Sequence, residues 1–189
     1  MKYKPMLAYP VSSKPIDYSK PVFIQPKLDG VRCLIQYDSG VVTAYSRTGK
    51  VWKNIEHITL NLYKFFDKHP NVVLDGELYN HDFRDDFEQI ISMVRKTKPD
   101  TEARAKSRDN VQFHCYDMVN KRMKFSTRDK WLASNLPLGF GIKKVKTQVI
   151  DESKYSLTTG DMIAKSKHTQ NLLDGYEGSI VRLDTPYQC

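Results

Sequence analysis

Short apolar blocks alternate with polar ones along this chain, and their spacing predicts strands and helices in turn. Pro21-Val22-Phe23-Ile24 opens a predicted strand from Val22 to Lys27. Arg32 to Asp38 and Val41 to Ser46 are β-rich runs joined by Ser39-Gly40, a hairpin signal. Asn54 is placed to cap a helix whose Ile55, Ile58, Leu62 and Phe65 recur at helical spacing before Pro70. Asn71-Val72-Val73-Leu74 predicts a buried strand that delivers Asp75-Gly76-Glu77-Leu78-Tyr79 at its carboxyl end. A second amphipathic helix is predicted over Arg84 to Lys96, closed by Pro99, and Asp100 to Asn110 reads as an exposed loop or frayed helical segment. Further on, strands are predicted at Val111 to Val119 and Val145 to Ile150. Helices are predicted from Arg128 to Asn135, capped by Ser126 or Thr127, and from a cap at Thr158 or Thr159 to about Leu173. Residues 1–20, with Pro5, Pro10 and Pro15, read as an extended lead-in.

Composition changes this picture little. The chain has 189 residues, 40% hydrophobic and 28% charged, the profile of a soluble globular domain. It holds no apolar run of the roughly 20 residues that span a bilayer, and its amino terminus lacks the features of a signal peptide. Cys33, Cys115 and Cys189 fit no metal or disulfide spacing, which favours a reducing, cytoplasmic compartment. A net charge of +8 favours polyanion partners, nucleic acid first. The clusters Arg95-Lys96-Thr97-Lys98 and Lys143-Lys144-Val145-Lys146 read as solvated faces.

The candidate chemistry sits in Gln25-Pro26-Lys27-Leu28-Asp29-Gly30-Val31-Arg32. A desolvated lysine among other cations loses its proton more easily and is then a strong nucleophile. An arginine two residues past a glycine turn offers a fork for phosphate oxygens. Asp29-Gly30 alone is also an ordinary turn dipeptide. Companion motifs follow in order: Ser46-Arg47-Thr48-Gly49, Asp75-Gly76-Glu77, Tyr116-Asp117 and Glu177-Gly178-Ser179-Ile180-Val181-Arg182.

Together these motifs resemble those of the covalent nucleotidyltransferases, and most closely the viral or phage-type ATP-dependent DNA ligases. The resemblance implies an α+β, ATP-grasp-like nucleotidyltransferase domain of two antiparallel sheets flanked by helices, with the nucleotide cleft between them. It implies that residues 1–189 are the adenylation domain, without the fifth, Lys-x-Lys motif and the OB-fold domain that follow it in the family. Lys27 would carry AMP from ATP as a phosphoramidate, with Asp29 orienting the motif and Arg32 and Arg47 gripping phosphate and ribose-side groups. Gln25 would read the adenine amino group, Leu28 would line the nucleotide site, Glu77 would contact the ribose or a metal-bound water, and Tyr116 and Ile180 would enclose the base. Glu177, with Glu77, would serve Mg²⁺; a glutamate in an apolar strand context points to a site on physical grounds as well. The implied partner is nicked duplex DNA, sealed by a monomer in replication, repair or recombination. The alternatives are RNA ligase, mRNA capping guanylyltransferase and, from another class, a non-catalytic nucleic-acid-binding module.

Overall fold

In the computed structural model, which describes residues 1–189, eight strands form two sheets. The small sheet has the order β7-β1-β8, built from β1 (Val22–Lys27), β7 (Gln148–Ile150) and β8 (Gly178–Leu183). The large sheet has the order β3-β2-β4-β5-β6, from β2 (Val31–Asp38), β3 (Val41–Tyr45), β4 (Val73–Tyr79), β5 (Gln112–Met118) and β6 (Ile142–Lys144). The small sheet is antiparallel throughout. The large one is mixed, because β6 runs parallel to β5, a departure from the two antiparallel sheets expected. The β2–β3 hairpin turns on Ser39 (φ 48°) and Gly40 (φ 90°), two successive left-handed residues as a type I′ turn requires.

One face of the large sheet carries Cys33, Ile35, Leu74, Leu78, Phe113 and Cys115 into the main core. Helices cover it: α1 (Glu56–Thr59) and α2 (Tyr63–Lys68), α3 (Glu88–Val94), α4 (Thr101–Asn110) and α5 (Phe125–Asn135). Full burial of a side chain such as Phe66 or Leu62 stabilises the fold by about 1.5–3 kcal/mol. The small sheet packs Val22, Ile24 and Ile150 on Ile163 and Ala164 of α6 (Gly160–Leu173), whose N-terminus Thr159 caps by accepting a hydrogen bond from Met162 N.

Several expected elements take a different form. The helix expected after Asn54 is broken into α1, a 3-10 turn at Leu60–Leu62 and α2, and with that tighter turn both Phe65 and Phe66 are buried. Asn54 makes no side-chain cap. Its amide donates to Met93 O (2.9 Å) and Ala103 O (3.2 Å), tying the start of α1 to α3 and α4. Thr101–Asn110 form a full helix, where an exposed loop or frayed helical segment was expected: Asp100 caps it by accepting from Ala103 N, and its inward residues are the small Ala103 and Ser107. Lys124, rather than Ser126 or Thr127, stands at the N-cap of α5, and Ser126 instead donates through N and Oγ to Asp184. Asp75-Gly76-Glu77 lies in the middle of β4, hydrogen-bonded to strands on both sides, not beyond its carboxyl end. Of the strand expected at Val145 to Ile150 only Gln148–Ile150 forms, as β7; β6 precedes it in the other sheet, and Val145 to Thr147 crosses between them.

Candidate active site

Antiparallel register decides which side chains share a face. On the small sheet Gln25 pairs with Ile180 and Lys27 with Gly178, so Phe23, Gln25, Lys27, Ile180 and Arg182 lie on the face turned away from α6. On the large sheet Arg32 pairs with Glu77 and Asp75 with Asp117, opposite the helix-covered face. The two polar faces meet. Gln25 Nε2 donates to Tyr116 O and to Thr147 Oγ1, each at 3.0 Å, and Arg182 reaches from β8 to Asp117 of β5 (3.2 Å).

Lys27 ends β1, and its Nζ lies 2.7 Å from Glu177 Oε1. Both side chains are about half exposed, at 45% and 44%. Glu177 therefore reaches the site by pairing from the turn before β8, and not as the glutamate of an apolar strand that the sequence indicated. Leu28, Asp29 and Gly30, all partly buried, form the turn to β2. A Cβ on Gly30 would sit 2.3 Å from Leu78 O and 3.0 Å from Glu77 Cγ, so only glycine lets this turn lie against β4. Partial burial, and then the charge of Glu177, raise the Asp29 carboxyl from its ordinary value, and Asp29 and Glu177 line one cavity.

The Arg32 guanidinium is committed to a bidentate pair with Asp75, at 2.7 and 2.6 Å, and also donates to Met6 O. Tyr187 Oη donates to the same Asp75 (2.7 Å). Because Asp75 pairs with Asp117 and Gly76 with Cys115, Tyr116 is the extra residue of a β-bulge. Its Oη donates to Glu77 Oε2 (3.1 Å), and Arg32 Cζ and Arg182 Cζ lie 5.2 and 5.3 Å from its ring centroid. Arg182 Nε also donates to Gln25 Oε1, so the Gln25 amide is saturated on both ends. Ile180 is partly buried on the same face, while Arg47 is exposed on the turn after β3. The site thus brings together Gln25, Lys27, Asp29, Arg32, Glu77, Tyr116, Ile180 and Glu177, and no contact joins Arg47 to them. It adds five residues to which the sequence assigns no role: Asp75, Asp117, Thr147, Arg182 and Tyr187. An open cavity of about 580 Å³ between Lys53 and Arg104 contains none of these residues.

Burial raises the Glu77 carboxyl from an ordinary 4.5 to about 8, against the opposing pull of Arg32 and of the Tyr116 hydrogen bond. Between those two values the folded chain holds a proton that the unfolded chain has lost. The Glu77 contribution is therefore full at low pH and disappears as pH rises through about 8. The Glu77→Gln chain is expected to lose this component, flattening the fall in urea midpoint between pH 5 and pH 9; an unaltered slope would contradict it.

No group of three or more His, Cys, Asp or Glu side chains capable of holding a metal occurs. Mg²⁺ commonly needs only one or two carboxylates beside substrate phosphates, and Glu177 and Asp29, which line one cavity, are the two that could serve it. Glu77 is less suited, being protonated near neutral pH and bonded to Tyr116.

The family profile described as "ATP dependent DNA ligase domain" matches residues 5–188. Among solved structures, one designated Pmar-Lig_Pre is similar with a TM-score of 0.73 and 24% identity, covering 97% of this chain and 43% of that one. A structure from work on Lig E DNA ligases gives a TM-score of 0.70 at 20% identity, covering 100% of this chain and 65% of that one. The ATP-dependent DNA ligase from bacteriophage T7, in complex with ATP, gives 0.64 at 17% identity, covering 98% and 63%. At these identities the likeness is one of fold, and the chain spans less than two thirds of each of those proteins. No curated protein matches the chain. No helix is long and apolar enough to cross a membrane.

Proposed function

The chain belongs to the ATP dependent DNA ligase domain family, and from that premise we propose that it carries out the adenylation chemistry of an enzyme that seals nicks in duplex DNA. The observation that carries this reading is Lys27 Nζ, presented at the end of β1 into the cleft between the sheets and 2.7 Å from Glu177. The amine attacks the α-phosphorus of ATP, forming a P–N bond as the bond to the β-phosphate oxygen breaks and pyrophosphate leaves. Glu177 Oε1 orients the amine, and because both side chains are about half exposed the proton that Lys27 gives up passes to solvent. The AMP then passes to the 5′-phosphate of a nick, and the adjacent 3′-hydroxyl displaces it.

Each step is an in-line displacement that depends on positioning and charge neutralisation. Glu177 and Asp29 would hold Mg²⁺, which when bound supplies neutralisation of triphosphate charge. Gln25 and Tyr116, cross-linked between the sheets, frame the base, Ile180 lies beside them, and Glu77, neutral and able to donate, faces the ribose. A net charge of +8 favours approach to the DNA backbone.

The full chain, incubated with Mg²⁺ and one of ATP, GTP or NAD⁺, is expected to gain the mass of one AMP from ATP alone. A gain of GMP would point to capping chemistry instead, and no gain with any nucleotide would end the proposal.

A further inference from the structure

The four residues 174–177, which bring the chain from α6 to the Lys27 partner, are gripped from the large sheet by the segment that follows Glu77. His81 Nε2 lies 2.8 Å from Asp174 O. A carbonyl only accepts, so Nε2 carries the hydrogen and Nδ1 is left to accept from Tyr79 Oη, at 2.6 Å. The His81 ring lies against Tyr176, with centroids 4.4 Å apart and planes 32° from parallel. Arg84 donates to His81 O and lays its side chain across Gly175, where a Cβ would come within 2.7 Å of Arg84 Cδ and Nε. Gly175 also has φ +89°, the left-handed conformation that ends α6. Three of four consecutive residues are thus held from β4 and its following loop. The fourth, Glu177, bonds through N to Lys27 O (3.3 Å) and through its carboxylate to Lys27 Nζ. A cavity of about 220 Å³, walled by Asp29, Tyr79, Arg84 and Tyr176, lies between this clasp and the nucleophile.

We infer that His81, supported by Tyr79 and Arg84, is a positioning residue for lysine adenylylation: it clasps the Asp174–Tyr176 turn to the large sheet and so sets where the Glu177 carboxylate meets Lys27. This rests on the reading of Lys27 as the nucleophile. The clasp touches no atom proposed to react, and its effect passes through the backbone of four residues.

The test is single-turnover adenylylation of the full chain over a range of ATP concentrations. A small misplacement of reacting groups costs rate rather than affinity, so His81→Ala is expected to lower the rate constant about tenfold with KM for ATP changed less than about twofold. His81→Gln, whose amide nitrogen still donates to Asp174 O, restores most of the rate. Tyr79→Phe keeps the ring, loses only the bond to Nδ1 and falls about threefold. These two conservative variants carry the test if His81→Ala folds poorly. Rates within about twofold of the unaltered chain for both His81→Ala and Tyr79→Phe, or a His81→Gln rate as low as that of His81→Ala, overturn the inference. Failure of the unaltered chain to take up AMP instead overturns the proposed reaction, and is seen before any substitution is made.

Discussion

The Lys27→Ala chain is expected to take up no AMP, with the loss reaching the floor of an intact-mass or radiolabel assay. Enzymes commonly accelerate their reactions by about 10⁶-fold or more, and a covalent route has no residual form once its nucleophile is gone, so a loss of at least about 10⁴-fold is expected. Lys27→Arg sharpens the point. Arginine keeps the charge opposite Glu177 but stays protonated, so it is expected to hold the ion pair and still give no adduct. Neither change should unfold the protein, because a half-exposed pair such as Lys27–Glu177 contributes about 0–1 kcal/mol. Thermal midpoints within a few degrees of the unaltered chain, alongside absent adduct, are the expected combination. An adduct of undiminished yield on the Lys27→Ala chain would place the nucleophile elsewhere.

The placement of Lys27 was legible because it is local. The strand, the turn and the Asp29-Gly30 pair are contiguous, and β1 occupies the residues expected, Val22–Lys27. The later motifs were legible as residues but not in their geometry. Asp-Gly-Glu has low strand propensity, so it read as a strand end; in the structure Gly76 stands between Cys33 and Cys115 in a central strand, with Asp75 and Glu77 aimed into the cleft. Helix α4 was expected only as a loop or frayed helical segment because its inward side is Ala103 and Ser107, which leave no apolar period to find; the Asp100 cap was its one signal. The Val145 to Ile150 run alternates as one strand, and nothing local marks the change of sheet that puts Thr147 against Gln25. Glu177 was legible from its motif, but the apolar strand context offered as a second ground does not hold, and its pairing spans 150 residues of sequence. The clasp at His81 and the Asp75–Tyr187 bond are likewise long-range, and no spacing rule reaches them.

The largest stability effect is expected at Asp117, whose carboxylate is fully buried and joins three elements. Arg128 of α5 grips it through Nε (2.7 Å) and Nη2 (3.0 Å), and Arg182 of β8 reaches it at 3.2 Å. Arg128 is itself 1% exposed and Arg182 8%. Asp117→Ala leaves two guanidinium groups buried without their counter-charge, a change that typically costs about 3–5 kcal/mol. Against a total of about 5–15 kcal/mol for a domain, that brings the fold close to its limit. The Arg128 bonds to Met123 O and Thr185 O remain, which argues for the lower half of the range. Adding Arg128→Met removes one orphaned charge, so the double variant is expected to be more stable than Asp117→Ala alone by urea unfolding. Equal or lower stability of the double variant would show that the cost lies in lost packing rather than in uncompensated charge. The same substitution reaches the cleft: Arg182, released from Asp117, is the partner of Gln25 Oε1, and Gln25 in turn binds Tyr116 O. AMP uptake by Asp117→Ala chains that remain folded is therefore expected to fall as well, because the ion pairs that hold the two sheets together also hold the proposed base-framing residues in place.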